Sequence, residues 1–180
     1  ELFSVALVYS PTSVSTGGFD VSVAFVKEES AEAASETVLP ARPISGRPNL
    51  VTEAGLKMLQ DELARAQQAL EEASRIEDIN ERRRQSAVPY RDAQYFAERV
   101  RTAQLMPAPA SNEVVAFGHK VTFERDDGRV QTYRIVGEDE ANPAAGTISY
   151  GSPVAIALLG KSVGDVVRAG QHELEIIAIE

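Results

Sequence analysis

The stretch Val51–Ile76, "VTEAGLKMLQDELARAQQALEEASRI", decides how the chain is organised. Its apolar residues recur at alternating spacings of three and four, as in a helix that packs along another helix. Thr52 is suited to cap this helix, and Glu53 places a carboxylate at the positive end of the helix dipole. The stretch therefore predicts a helix that begins near residue 53 and has the seam Leu56, Leu59, Leu63, Ala66, Leu70 and Ala73.

A second seam follows at residues 93–105, "AQYFAERVRTAQL", and stops at the proline-containing "MPAPASNE". Its apolar positions are Ala93, Phe96, Val100 and Ala103. One amphipathic helix could simply pack on a globular core, but two seams joined by a short polar turn favour an antiparallel helical hairpin. Arms of equal length place the turn at about residue 79.

The predicted tip of this hairpin is "RIEDINERRR", residues 75–84. Asp78 and Glu81 lie three residues apart, directly before Arg82, Arg83 and Arg84. The carboxylates could be a reactive acidic pair. They could equally form a solvated turn with ion pairs to the arginines, each worth at most about 1 kcal/mol at a surface. Both interpretations stay open.

From residue 114 onward the pattern changes to that of a small sheet. Residues 120–136, "KVTFERDDGRVQTYRIV", are two strand-like runs around a "DDG" turn signal, which predicts a β-hairpin. The short apolar run "PVAIALLG" predicts a helix capped by Ser152, opened by Pro153 and closed by Gly160. "VGDVV" and "HELEIIAI" complete a domain with one sheet and one helix.

Composition narrows the classes of function. The chain has 180 residues, and its net charge of -9 argues against a general nucleic-acid coat, because phosphate binding needs lysine and arginine. It has no cysteine, which excludes disulfides, thiolate zinc sites and cysteine nucleophiles. His119 and His172 are isolated, so we expect surface or strand residues and not metal ligands. Without an apolar run of roughly 20 residues, we expect a cytoplasmic protein with no membrane contact.

The chain divides into three predicted parts. Residues 1–49 form an N-terminal extension and a linker with three prolines, "LPARPISGRPN", and are expected to be poorly ordered. The first 20 residues could be an added strand, a poorly ordered extension, or the product of a misassigned start. Residues 50–108 form the hairpin, and residues 109–180 form the α+β domain.

Residues 133–167, "YRIVGEDEANPAAGTISYGSPVAIALLGKSVGDVV", resemble the C-terminal domain of the bacterial GreA/GreB transcript-cleavage factors. The resemblance rests on "RIVGEDEA", on "SP" before the small helix, and on "LLGK" and "GDVV", and it extends back to "VTEAGLKMLQDEL". It covers roughly residues 50–180. It implies an α+β fold in which an N-terminal antiparallel coiled-coil hairpin precedes a small FKBP-like domain.

The resemblance also implies a partner, RNA polymerase. The FKBP-like domain would dock near the polymerase secondary channel, and the hairpin would enter that channel. Asp78 and Glu81 match the first part of the acidic tip pattern, so they are the predicted catalytic carboxylates. Such carboxylates help to hold the polymerase's own Mg²⁺ and to activate water, since Mg²⁺ prefers oxygen ligands. The chain itself would need no cofactor, hold no metal independently and not be an enzyme.

The tip departs from the family after Glu81, where Arg82, Arg83 and Arg84 replace the family's "NAEY". These arginines would partly cancel the negative potential that a metal ion needs, and they could contact nascent RNA or the channel wall. A rival alignment sets "DAQY", residues 92–95, against "NAEY" and leaves no carboxylates at the tip. It requires a large deletion in one arm only, so the symmetric alignment is preferred.

Ser152 and Pro153 fall in the family's polymerase-binding loop, and Gly151 stands where the cleavage factors often have aspartate or asparagine. The acidic run at residues 138–140 is expected to be solvated, and no role is assigned to it.

Four functions remain to be weighed. The leading one is an elongation regulator that binds polymerase and stimulates cleavage of backtracked transcripts, and its close alternative is a non-cleaving, Rnk-like regulator. A prolyl isomerase is disfavoured because the aromatic residues are too scattered to define a pocket. A coiled-coil dimerisation module would pair hairpins with each other, whereas we expect a monomer.

Overall fold

The computed structural model describes residues 38–180, so predictions for residues 1–37 lie outside the described chain. Two long helices form an antiparallel hairpin: α1 spans Glu53–Ser74 and α2 spans Ile79–Thr102. The hydroxyl of Thr52 caps α1 by accepting a hydrogen bond from the amide of Gly55 at 3.0 Å. The predicted hairpin, its first cap and the position of its turn are therefore confirmed.

The predicted seam of α1 is the face that packs on α2. Leu59, Ala66 and Ala73 are buried, and the other three residues of the seam, all leucines, are half-buried. On α2 the seam residues are half-buried, and the one fully buried side chain is an arginine, Arg99. At 1.5 Å per residue the 22 and 24 residues of the arms extend about 33 and 36 Å.

A short parallel strand pair closes the base of the hairpin. Strand β1, Leu50–Val51, precedes α1, and β2, Gln104–Leu105, follows α2. The buried Asn49 ties the chain before β1 to the end of α2, because its side-chain amide donates to the carbonyl of Arg99 at 2.7 Å. The chain thus enters and leaves the hairpin at one point.

The C-terminal domain is a five-stranded sheet with one helix, as predicted, and the fold is α+β. Its elements are β3 (Lys120–Arg125), β4 (Val130–Val136), a 3-10 turn (Pro143–Ala145), β5 (Thr147–Ser149), α3 (Pro153–Leu158), β6 (Val166–Ala169) and β7 (His172–Ile179). The strand order is β5-β4-β3-β7-β6, and only the β4–β5 pair is parallel. The core includes Phe123, Ile135, Leu158 and Ile176.

Local signals placed the turns of this domain correctly. Gly128 has φ +76° in the β3–β4 turn, and Gly160 has φ +79° after α3, conformations that glycine adopts without strain. The expectation that His119 lies at the surface or in a strand was wrong. It is buried outside any strand, where its Nδ1 accepts a hydrogen bond from the amide of Ala116. No helix among residues 38–180 is long and apolar enough to cross a membrane.

Candidate functional site

Asp78 lies at the tip of the hairpin and caps α2. Its Oδ1 accepts a hydrogen bond at 2.7 Å from the amide of Glu81, which satisfies one of the amides left open at a helix start. One of the two predicted carboxylates therefore has a structural role through one oxygen. Its other oxygen, Oδ2, has no hydrogen-bond partner in the described chain.

Glu81 is held by its own helix. Its Oε2 accepts from Arg84 at 2.5 Å, and its Oε1 accepts from the side-chain amide of Gln85 at 2.7 Å. The Gln85 hydrogen bond and then Arg84 lower the pKa of this carboxyl below its ordinary value. Glu81 is thus ionised, and both of its oxygens already accept hydrogen bonds from its own helix.

The three arginines that follow Glu81 do different things. Arg82 donates to the carbonyl of Ile76 at 3.0 Å and so ties the turn to the helix. Arg84 pairs with Glu81. Arg83 is exposed, and its side chain has no hydrogen bond or ion pair within residues 38–180, which leaves its guanidinium available to a partner.

The oxygen ligands at the tip fit Mg²⁺ only in part. Asp78 offers Oδ2, an oxygen of the type that Mg²⁺ prefers, whereas both oxygens of Glu81 are engaged. Among the described residues no group of three or more metal-ligating side chains comes together. The tip could therefore contribute at most a few ligands to an ion held mainly by another molecule.

Ser152 and Pro153 begin α3. The Ser152 hydroxyl accepts from the amide of Ala155 at 3.2 Å, and Pro153 occupies the first helical position, where its missing amide costs nothing. Pro153 and Ile156 are exposed and one turn apart, so they share the outward face of α3. The structure thus confirms the cap and leaves an exposed apolar face beside the loop.

The acidic run to which the sequence assigned no role joins the hairpin to the C-terminal domain. Asp139 accepts from Arg99 Nε at 2.5 Å and from the hydroxyl of Tyr95 at 2.6 Å. Glu138 lies 3.9 Å from Arg99. Burial, and then the bond to Asp139, raise the pKa of Tyr95 to about 12. The expectation of a solvated loop was wrong for these carboxylates.

Glu140 extends this junction to the start of α1. Its Oε1 accepts from the amide of Thr52 at 2.9 Å, and its Oε2 accepts from the Thr52 hydroxyl at 2.5 Å. The side chain passes directly over Gly55, where an added Cβ would lie 2.0 Å from the Glu140 carboxyl carbon. A glycine at this position therefore makes room for the contact.

Residues 39–49, which we call the strap, pack against both parts. Arg42 stacks 3.8 Å above the ring of Tyr95 and pairs with Asp92 at 3.6 Å. The hydroxyl of Tyr150 donates to the carbonyl of Pro48 at 2.5 Å. The sequence predicts a poorly ordered linker here, but these contacts hold residues 39–49 against α2 and the loop before α3.

One sequence signal could have revealed the base. Arg99 lies between Phe96 and Val100 on the face that the seam makes apolar, and a charge on such a face requires a buried partner. The run "GEDE" supplies three carboxylates. The "DAQY" segment of the rival alignment lies at this base and not at the tip, because Asp92 and Tyr95 contact Arg42 and Asp139.

Comparisons with known proteins show which proteins this chain is similar to. The family model described as "Transcription elongation factor, GreA/GreB, C-term" matches residues 110–180. The chain is 37% identical over 145 residues to transcription elongation factor GreA of Desulfovibrio desulfuricans, covering 69% of this chain and 89% of that protein. It is 34% identical over 152 residues to GreA of Alkalilimnicola ehrlichii, covering 72% and 95%. A crystal structure of the GreA factor homolog 1 protein of Thermus thermophilus is 26% identical, with 74% of this chain and 99% of that chain covered and a TM-score of 0.35.

Proposed function

The chain belongs to the GreA/GreB family of transcription elongation factors, and on that premise we propose that it binds RNA polymerase at the secondary channel and regulates elongation there. The C-terminal domain docks through the loop that contains Ser152 and Pro153. The hairpin enters the channel with its tip leading. The chain acts on the polymerase active centre and is not an enzyme by itself.

One observation carries this proposal. Within the described chain, every hydrogen bond and ion pair between the hairpin and the rest of the protein comes from its base, at residues 49–55 and 92–106. The tip, by contrast, bonds only within residues 71–85. A helical hairpin anchored at one end, with charged residues at the other, is suited to reach into a partner.

The partners of the tip carboxylates favour regulation without transcript cleavage. Asp78 caps α2 through Oδ1, and Glu81 is held by Arg84 and Gln85. Both carboxylates would be needed to complete the shell of a polymerase Mg²⁺ and to orient a water molecule. We therefore propose binding as the primary activity, with stimulation of cleavage as the alternative.

A backtracked elongation complex separates these activities. Magnesium-dependent release of 3′ RNA and binding to polymerase are measured for the unmodified chain and for Asp78→Ala and Glu81→Ala. Asp61→Ala, on the exposed face of α1, is the matched control. We expect all four proteins to bind without RNA release. RNA release lost only in the two tip variants would establish the cleavage alternative, and absence of binding would refute the proposed function.

A further inference from the structure

The strap places Arg47 over the loop that the proposed function assigns to docking. A Cβ added to Gly151 would lie 3.1 Å from Arg47 Nη1 and 3.2 Å from its guanidinium carbon. The bond between Tyr150 and Pro48 fixes the backbone next to Arg47. The guanidinium therefore occupies the space that a side chain at position 151 would take, directly before Ser152.

Arg47 has unused capacity for hydrogen bonding. Its side chain is 53% exposed, and its described interaction is an ion pair with Glu138 at 3.6 Å, longer than a hydrogen bond. A guanidinium has five donors in a planar fork that matches a carboxylate. Arg84 and Arg101, in contrast, each donate twice to a glutamate of their own helix. Arg47 thus presents donors that the described chain does not satisfy.

Exposed apolar side chains follow Gly151, the residue that Arg47 covers. Pro153 and Ile156 lie on the outward face of α3, where Ile156 is 57% exposed. A cation at Gly151, two residues before this apolar face begins, is complementary to a protein segment that carries a carboxylate next to apolar side chains. An arginine with an incomplete set of partners pairs strongly with such a carboxylate.

We propose that Arg47 is a specificity-determining residue of the docking surface and pairs with a carboxylate of RNA polymerase. This inference rests on the proposed function. Arg47 supplies, from the strap, the polar contact that glycine cannot make at position 151. The charge of that contact is positive, so the matching polymerase segment is acidic.

Binding to purified core polymerase tests the inference with three variants. Arg47→Gln removes the charge. Arg129→Gln is the matched control, since Arg129 is also exposed and also has a 3.6 Å ion pair, with Asp127 at the far turn. Glu138→Gln removes the competitor for Arg47. Thermal unfolding of each variant monitors the fold.

We expect Arg47→Gln to weaken binding about tenfold and to reduce its dependence on salt, as for the loss of one charged contact. Arg129→Gln should bind as the unmodified chain does, and Glu138→Gln should bind at least as tightly. The inference is overturned if Arg47→Gln leaves binding unchanged. It is also overturned if Glu138→Gln weakens binding as much as Arg47→Gln does, because the ion pair of Arg47 with Glu138 would then serve only to hold the strap. If the unmodified chain does not bind polymerase, the proposed function is refuted as well.

Discussion

The base and the tip of the hairpin each contain an arginine–carboxylate pair at 2.5 Å, Arg99 with Asp139 and Arg84 with Glu81. The side chain of Arg99 is 3% exposed, whereas that of Arg84 is 64% exposed. Water screens the pair at the tip, but Arg99 is shielded from water at the base, where its second carboxylate, Glu138, lies at 3.9 Å, beyond hydrogen-bond distance. The same bond therefore stabilises the junction of the two domains at one end, whereas at the other end it is exposed to solvent and contributes little to stability.

The largest expected effect is at the base. Asp139→Ala leaves Arg99 buried without its main partner and should lower the free energy of unfolding by about 3–5 kcal/mol. Glu81→Ala, the equivalent change at the tip, should lower it much less, because water screens the exposed pair. Urea denaturation of both variants measures the difference. Equal losses would mean that burial does not distinguish the two pairs.

Gly55→Ala tests the contact with Glu140. The new Cβ would displace the Glu140 carboxylate and break its bonds to Thr52. A lost hydrogen bond to a charged group costs about 1.5–3 kcal/mol, more than the 0.8–1.0 kcal/mol by which alanine is the better helix former, so we expect a net loss of about 1–2 kcal/mol. Gly46→Ala is the control, because no atom lies within 4 Å of its added Cβ. A stabilised Gly55→Ala variant would contradict the assigned contact.

Two substitutions at Asp78 separate its cap from its charge. Asp78→Ala should lower the free energy of unfolding by about 1 kcal/mol because α2 loses its cap, whereas Asp78→Asn keeps a capping oxygen and should change it little. Denaturation of both variants measures this. If the two lose the same stability, the hydrogen bond to Glu81 does not carry the effect.

A pH dependence is expected at the base. The pKa of Tyr95 is raised to about 12 by burial and by Asp139, so the folded state holds this proton more tightly than the unfolded state. The resulting stability is complete below the ordinary pKa of about 10 and is lost as the pH rises towards 12. Tyr95→Phe should flatten the stability curve between pH 10 and 12, as measured by denaturation. If the slope of stability against pH is the same in Tyr95→Phe as in the unmodified chain, Tyr95 is not the cause of the pH dependence.

The sequence predicts the hairpin and its tip because both follow from local patterns. The residues that indicate a seam, a cap or a polar turn lie close together in the sequence. The same holds for the "DDG" turn and for the serine cap of α3. The base could not be predicted in the same way. Asp139 meets Arg99 across 40 residues, and Arg47 meets Gly151 across about a hundred, and periodicity does not indicate which loop a helix contacts.

His119 illustrates the same limit. Its burial follows from the packing of the segment before β3 and not from its neighbours in sequence. The spacing of Asp78 and Glu81 does not decide their roles either. A separation of three residues fits a helix cap and the amide that it binds, and it fits two cooperating carboxylates equally well. The described hydrogen bonds establish the cap, and cooperation of the two carboxylates stays a prediction.

A crosslink from the tip tests most directly whether the hairpin enters the polymerase. A photoreactive residue replaces the exposed Asn80 in a stalled elongation complex, and a second variant carries it at exposed Gln60 near the base of α1. We predict that position 80 crosslinks to polymerase segments lining the secondary channel, whereas position 60 crosslinks only outside it. Crosslinks from position 80 to the outer polymerase surface alone would contradict the proposed placement of the hairpin.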